Sequence, residues 1–303
     1  MKASGKEGTE MKNKNRIRES KGSVLFDAII ILLVSLLTLV CFYPMYYVLM
    51  ASFSNPVQLM NTRTPLVWPQ GYSLSGYRTV LRNPNIWLGY ENTALYLSCG
   101  TLINMVMTTL GAYALSRKDF ALKRFFTFFI VFTMYFHGGL IPNYLLMKNI
   151  GMLNTRWALM IPGAIGTWNM LVLRTAFKSV PDSLEEAAII DGANDWQVLL
   201  HVLLPVSKAS MAVILLFYAV GHWNSWFNAM IYLPRARHFY PLQLFIREIL
   251  IISNTVEEAT EIDLSSELVK YCTIIVSTVP ILCLYPFLQK YFVKGVMLGS
   301  VKG

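Results

Sequence analysis

The sequence predicts an all-α, polytopic integral membrane protein with six transmembrane helices. Three observations carry that prediction. Apolar runs of about 18 residues or more, the length at which a helix crosses a bilayer core, recur six times. The chain of 303 residues is 55% hydrophobic and only 14% charged. When successive runs are threaded back and forth, Lys and Arg divide unevenly between the two sides, 17 against 9, the asymmetry that orients membrane helices.

The first run is Ile29–Met50. It is too long for a cleaved signal peptide and lacks a small-x-small cleavage site, so it is read as a retained span. The second is Thr93–Leu115, with Asn92 as its candidate cap. The third covers Phe125 to about Leu146 and the fourth Trp157–Leu173. Glycine and proline interrupt both (HGGLIPN, IPGAIGTW), which membrane helices tolerate where neighbours or a water-filled cavity satisfy the freed backbone groups. The fifth is Ala209–Leu233 and the sixth Tyr271–Val293. An even number of spans puts both termini on the Lys/Arg-rich side, the cytoplasm. That side holds the basic arm 1–23, expected to be disordered, the short loop Ser116–Arg124, the segment 179–205 and the tail. The net charge of +9 follows from the same bias rather than from nucleic-acid binding.

Two long segments face outward. Residues 51–91 are rich in Pro, Gly and Asn. They contain one short helical candidate, Leu74–Leu81, and the tryptophans Trp68 and Trp87, which suit either an interfacial belt or contact with an external partner. Residues 234–269 end in Glu257, Glu258, Glu261, Asp263 and Glu267. Cys41, Cys99, Cys272 and Cys283 lie far apart in apolar runs, without metal or disulfide spacing.

The most informative stretch is Glu185–Pro205, EEAAIIDGANDWQVLLHVLLP, which packs four carboxylates into its first eleven residues. Ser179 is a candidate helix cap with Pro181 in the first turn. Asp182, Glu185 and Glu186 then sit where the helix dipole favours acids. Leu184, Ala187, Ala188 and Asp191 share a face whose two methyl side chains admit close approach. Gly192 occupies the position where a left-handed residue ends a helix. Asn194 or Asp195 can cap a second helix from Trp196 to Leu204, which Pro205 breaks. An ordinary interfacial loop satisfies the same physics.

The residues carry a resemblance. Glu186-Ala187-Ala188, three residues, Gly192, nine residues, Val202, one residue and Leu204-Pro205 resemble the EAA signature of the permease subunits of bacterial ABC importers. Val202 stands where isoleucine is more usual. Asn143–Ala164, Gly221–Leu233 and Tyr291–Gly303 are similar to the carbohydrate branch, which includes the second permease of maltose-type and multiple-sugar systems and a subset that handles complex oligosaccharides. The resemblance covers about residues 25–303. It implies a MetI-like permease fold in a bacterial inner membrane. It also implies a coupling helix that docks in a groove of a separate ATPase dimer, built on Glu185, Glu186, Ala187, Ala188, Asp191, Gly192, Leu204 and Pro205. The expected partners are that ATPase, a second permease subunit, an extracytoplasmic solute-binding protein and membrane lipid. No cofactor is expected on this chain; ATP and Mg belong to the partner ATPase.

Absent motifs agree. No phosphate loop, HExxH or G-x-S-x-G occurs, so the chain is expected to be a transport subunit and not an enzyme. No carboxylate lies inside a span, which disfavours the alternative of an ion-gradient-driven secondary transporter. A permease for a non-sugar solute of the same class is the nearer alternative. His137 and His222 lie near spans, as functional groups or as packing residues. For a sugar path, the fifth span offers Trp223, Asn224, Trp226 and Asn228, with Trp223/Trp226 and Asn224/Asn228 each expected to share a helical face. An interhelical hydrogen bond plus an interfacial belt fits them equally well. Trp168, Asn169 and Tyr144 are further candidates. Arg235, Arg237 and His238 on the outer side point to an acidic sugar.

Overall fold

A computed structural model of the chain describes residues 21–61, 64–257 and 267–283. Every regular element among them is helical. In chain order they are α1 (Lys21–Ser52), α2 (Pro56–Asn61), α3 (Ser75–Arg82), α4 (Pro84–Ser116), α5 (Lys123–Tyr135), α6 (Leu140–Asn149) and α7 (Trp157–Met160). There follow α8 (Thr167–Lys178), α9 (Asp182–Ile190), α10 (Asp195–Val206), α11 (Lys208–Trp223), α12 (Phe227–Tyr232), α13 (Leu242–Glu257) and α14 (267–283).

Among the described residues two helices are long and apolar enough to cross a membrane, α1 over Leu25–Ser52 and α4 over Pro84–Ser116. Leu32, Leu36, Leu39 and Val40 of α1 are all more than 60% exposed, as befits a helix whose solvent is lipid. Lys21, the first described residue, is already helical, inside the stretch expected to be disordered. The C-terminal end of α1 is pinned by the Leu66 amide, which donates to the Tyr43 hydroxyl, and by the Tyr46 hydroxyl, which donates to the Val67 carbonyl at 2.6 Å.

The other runs are not straight spans. The third divides into α5 and α6, bent by 115° across the break at HGGL. The fourth divides into α7 and α8, because residues 161–166 are not helical. The fifth ends at Trp223, where Asn224 and Ser225 leave the helix, and restarts as α12. The sixth is described only to Cys283; the rest of Tyr271–Val293, like most of the arm 1–23 and the acids Glu258, Glu261 and Asp263, lies outside the described residues. The outer segments are more ordered than their composition suggests: α2, α3 and the first turns of α4 occupy 51–91, and α13 occupies much of 234–269. Asn92 is not a cap. The helix starts two turns earlier, where the Asn83 side chain accepts from the Asn85 amide at 3.0 Å.

α4 is the spine. Asn92, Tyr96, Gly100, Asn104, Thr108, Ala112 and Ser116, every fourth residue, are all buried. Such a stripe drifts by about 40° per step around a regular α-helix. The π-turn Tyr96–Gly100, wound more loosely than an α-turn, offsets part of that drift and keeps the stripe facing the bundle. Lipid gives helices no hydrophobic reason to associate, so close packing and hydrogen bonds must do it. The stripe supplies both. Asn104 donates to the Gly163 carbonyl at 2.6 Å and accepts from His222 Nε2 at 2.7 Å. The Thr108 and Tyr218 hydroxyls are 2.6 Å apart, and Tyr218 also accepts from the Gly166 amide at 2.8 Å. The non-helical backbone at 163–166 is thereby satisfied inside the bundle. Below this layer Ala112 and Leu115 of α4 pack with Met170, Leu173 and Phe177 of α8, Leu199 and Leu203 of α10 and Ile214 of α11.

Candidate functional site

The segment 179–206 folds as two short helices around Gly192. Ser179 does not cap the first of them. Its hydroxyl donates backward to the Ala176 carbonyl at 2.8 Å and closes α8, while Pro181 stands at the N-cap of α9 with no side-chain cap. Two competing ends lie within three residues, and the serine serves the earlier one. Asp182 and Glu185 remain in the first turn of α9, where the dipole favours them. Gly192 has φ +84, and the Ala193 amide donates past it to the Ala188 carbonyl at 2.9 Å. Asn194 then starts α10 with a reciprocal capping box: it accepts from the Gln197 amide, and the Gln197 side chain accepts from its own amide. Pro205 does not break α10. Val198–Leu203 is a π-segment, the helix runs on to Val206, and the 86° bend into α11 comes at Ser207.

Three side chains, one from the last turn of α4 and two from the α4–α5 turn, bolt the segment to the body. Arg117 donates to both oxygens of Glu185, at 2.5 and 2.9 Å, a forked pair whose side chains are 23% and 18% exposed. Burial works against the Arg117 charge, but the Glu185 carboxylate outweighs it and holds the guanidinium pKa above its ordinary value. Lys118 meets Asp182 at 2.5 Å in the open, and the Tyr113 hydroxyl donates to the Asp195 carbonyl at 3.0 Å. These bonds set the roll of α9. Ala188 turns inward onto the core, whereas Glu186, Ala187, Ile189 and Ile190 face out, Ile190 at 84% exposure. The face expected to include Ala188 is therefore rotated toward Ile190. A cleft of about 230 Å³ opens between the two helices, lined by Ala188, Asp191, Gly192, Gln197 and His201. Leu204 anchors α10 on the core and Pro205 is exposed. The bolts Arg117 and Lys118 entered the sequence reading only as topology markers; opposite charges on neighbouring short loops were the available signal.

The opposite end of the bundle holds the candidate path residues, and the structure scatters them. Because α11 stops at Trp223, neither Trp223/Trp226 nor Asn224/Asn228 shares a helical face. Trp223 is 8% exposed, within the bundle, and the Asn224 amide turns back to the Val220 carbonyl at 3.0 Å. Trp226 lies under the Arg247 guanidinium, 4.1 Å from its ring centre. Asn228 is exposed, Trp168 is 64% exposed and Asn169 is half-buried beside Gly166. Tyr144 packs with Met147, Ala158 and Tyr232. His222 bonds Asn104.

What does converge at this end is positive charge. Arg156 donates to the Asn92 side chain at 3.1 Å and lies 4.8 Å from the Phe239 ring, and Asn92 in turn donates to the His238 and Tyr240 carbonyls. Arg237 meets Glu248 at 2.7 Å. Arg235 and His238 are exposed beside them. Among the described residues no group of three or more His, Cys, Asp or Glu could hold a metal ion.

Comparison with known proteins agrees with this architecture. Residues 16–231 match the family described as "Binding-protein-dependent transport system inner membrane component". The polygalacturonan/rhamnogalacturonan transport system permease YtcP of Bacillus subtilis is 37% identical, over 92% of this chain and 99% of that protein. Protein LplC of the same organism is 33% identical, over 95% and 98%. A solved structure, that of a bacterial ABC transporter importing the acidic polysaccharide alginate, superposes on 90% of this chain and 99% of its own with a TM-score of 0.83 at 33% identity. The chain belongs to the family of binding-protein-dependent transport system inner membrane components, the membrane-embedded permease subunits of ABC importers.

Proposed function

We propose that this chain is a six-span permease subunit that carries acidic oligosaccharides into the cytoplasm, driven by a separate ATPase. The observation that carries the proposal is the α9–Gly192–α10 unit. It is a compact plug with exposed Glu186, Ala187 and Ile190, held by the forked Arg117–Glu185 pair to the α4–α5 turn. An element that transmits force needs such a rigid tether on one side and a free, small-residue face on the other. α1, α4, the bent pair α5–α6, α8, α11 and α14 supply the six crossings. On this reading the α9 end and both termini are cytoplasmic, ATP and Mg bind to the partner ATPase dimer, a solute-binding protein docks at the opposite end, and a second permease completes the passage.

The substrate class rests on charge. Arg156, Arg235, Arg237, Arg247 and His238 stand at the outer end against Glu248. Trp226 and Phe239 lie beneath two of the guanidinium groups, offering aromatic faces for sugar rings with cations for carboxylates. The named relatives that handle polygalacturonan, rhamnogalacturonan and alginate support the same chemistry. The test is uptake into proteoliposomes holding the complete complex. Galacturonate oligomers are expected to enter only with ATP inside and binding protein outside, and faster than neutral oligomers of equal length. Preference for the neutral oligomers would overturn the acidic class; uptake without ATP would overturn the mechanism.

A further inference from the structure

An unassigned site lies at the α5 start, on the same end of the molecule as α9. There a cavity of about 590 Å³ is lined by Lys123, Arg124, Thr127, Phe128, Val131 and Arg174. Its mouth is basic and its wall apolar. Among the described residues none of the three cations pairs with a carboxylate. Lys123 donates to the Ser116 and Arg117 carbonyls and Arg174 to the Leu115 carbonyl, so each is held in place by backbone while its charge stays uncompensated. Arg124 is exposed. The first turn of α5 has no side-chain cap, so its positive dipole end adds to the same spot. The Thr127 hydroxyl oxygen, on the cavity wall, is enclosed and has no hydrogen-bond partner.

From that mouth α5 runs away as an aromatic ladder. Phe125, Phe128, Phe132 and Phe136 are each at least 42% exposed, with Phe132 and Phe136 stacked at 4.2 Å, and no residue of α5 is buried. Charge at one end and an unpartnered apolar strip at the other match one kind of molecule. We propose that the cavity binds an anionic phospholipid, its phosphate between Lys123, Arg124 and Arg174 and its acyl chains along Phe128 and Val131. A free phosphate shares the headgroup chemistry but leaves the strip bare, and a second protein chain offers no reason for three unpaired cations around an enclosed hydroxyl. Basic pockets at the membrane surface of the cytoplasmic leaflet are where such lipids collect. Placing the site in that leaflet rests on the orientation proposed above.

The experiment counts retained lipid by native mass spectrometry on the full chain, purified with its accompanying subunits from membranes containing phosphatidylglycerol and phosphatidylcholine. Wild type is expected to keep phosphatidylglycerol in preference. Arg124→Gln should weaken retention about fivefold, and Arg124→Gln with Arg174→Gln further, at about fivefold per lost charge; Arg124→Lys should restore most of it. Arg124 is exposed, so the first variant leaves folding intact. Inorganic phosphate in excess should not displace the lipid. Equal retention by wild type and Arg124→Gln, equal retention of phosphatidylcholine, displacement by phosphate, or loss of the lipid whenever a second subunit is bound would each overturn the proposal. None of these readouts depends on transport, so failure of the sugar assignment leaves them unaffected.

Discussion

Gly192 sits at φ +84 with no heavy atom within 4 Å of where a Cβ would stand. Gly100 keeps ordinary helical angles, φ −63 and ψ −47, yet a Cβ there would fall 2.5 Å from the His222 ring. The first glycine answers a local need, a left-handed turn between two helices. The second answers a tertiary one, the close approach of α11 to α4. The regions around them differ in the same way. The α9–α10 unit is built from neighbours in sequence: a capping box across three residues, a glycine turn and acids in a first turn. The α4 stripe is built from pairs more than 50 residues apart, such as Asn104 with Gly163 and His222. Strength that comes from local code survives the loss of a distant partner; strength that comes from the stripe does not.

The largest expected effect lies in the tertiary region. Trp223→Ala should cost about 3–5 kcal/mol, because the side chain is only 8% exposed. Assembled protein should fall, with uptake per assembled complex unchanged for long and short oligomers alike. Trp226→Ala, beneath Arg247, should instead change the ratio between acidic and neutral oligomers. A changed ratio in Trp223→Ala, measured per complex, would return that residue to the path and blur the division drawn here.

Gly100→Val tests the stripe directly. Overpacking costs about 1–3 kcal/mol, and pushing His222 aside also strands the Asn104 carbonyl oxygen, so the melting temperature in detergent should drop clearly. The informative partner is His222→Ala. If the approach of α11 is the reason for Gly100, the double variant should be less destabilised than the two single effects added together. Strict additivity would show that the glycine serves something else.

How much of this was legible in the sequence follows from the same contrast. Gly192 and Asn194 could be read because their turn and cap are closed by near neighbours in sequence, and the acids of α9 because the first turn of their own helix favours them; their ion-pair partners Arg117 and Lys118, more than 60 residues away, could not. Ser179 is not legible in this way, because two helix ends compete for one hydroxyl. The six apolar runs were visible, and glycine and proline announced the breaks in the third and fourth, but the break in the fifth was not: Trp223 and Trp226 have ideal helical spacing and are separated by a turn at Asn224 and Ser225 that neither glycine nor proline announces. The stripe Asn92, Tyr96, Gly100, Asn104, Thr108 was detectable as polar or small residues at every fourth position of an apolar run. Its partners were not, because they depend on how separate helices meet. Arg156, the centre of the basic cluster opposite α9, had no local signal beyond its charge.

A smaller effect is expected at the tether between the two regions. Arg117→Ala leaves Glu185, 18% exposed, without its forked partner, a penalty of about 1–3 kcal/mol that loosens α9 without unfolding the bundle. Stimulation of the ATPase by loaded binding protein should fall while complex yield holds. Lys118→Ala is the control. Its pair with Asp182 is open to water, with side chains 74% and 60% exposed, and such pairs contribute little, so stimulation should match wild type. A Lys118 variant as defective as the Arg117 variant would mean that total charge, not the buried fork, holds the α9–α10 unit.

The smallest effect separates conformation from space at Gly192. A β-branched residue in the left-handed region is strained by about 1–2 kcal/mol, and nothing near Gly192 collides with the added atoms. Gly192→Val should therefore shift the turn rather than the fold. The capping box at Asn194 and the Arg117–Glu185 fork anchor either side, so the strain falls on the angle between α9 and α10. At 1–2 kcal/mol the native angle would lose about 5- to 30-fold in relative population. ATPase stimulation and uptake should drop together, with insertion and complex yield retained. Gly192→Asn is the sharper variant. Asparagine tolerates the left-handed region, and the empty surroundings accept its side chain, so it should keep most activity. If valine and asparagine fail equally, the space at Gly192 is occupied in the working complex, and the glycine is there for the docking partner and not for its own backbone.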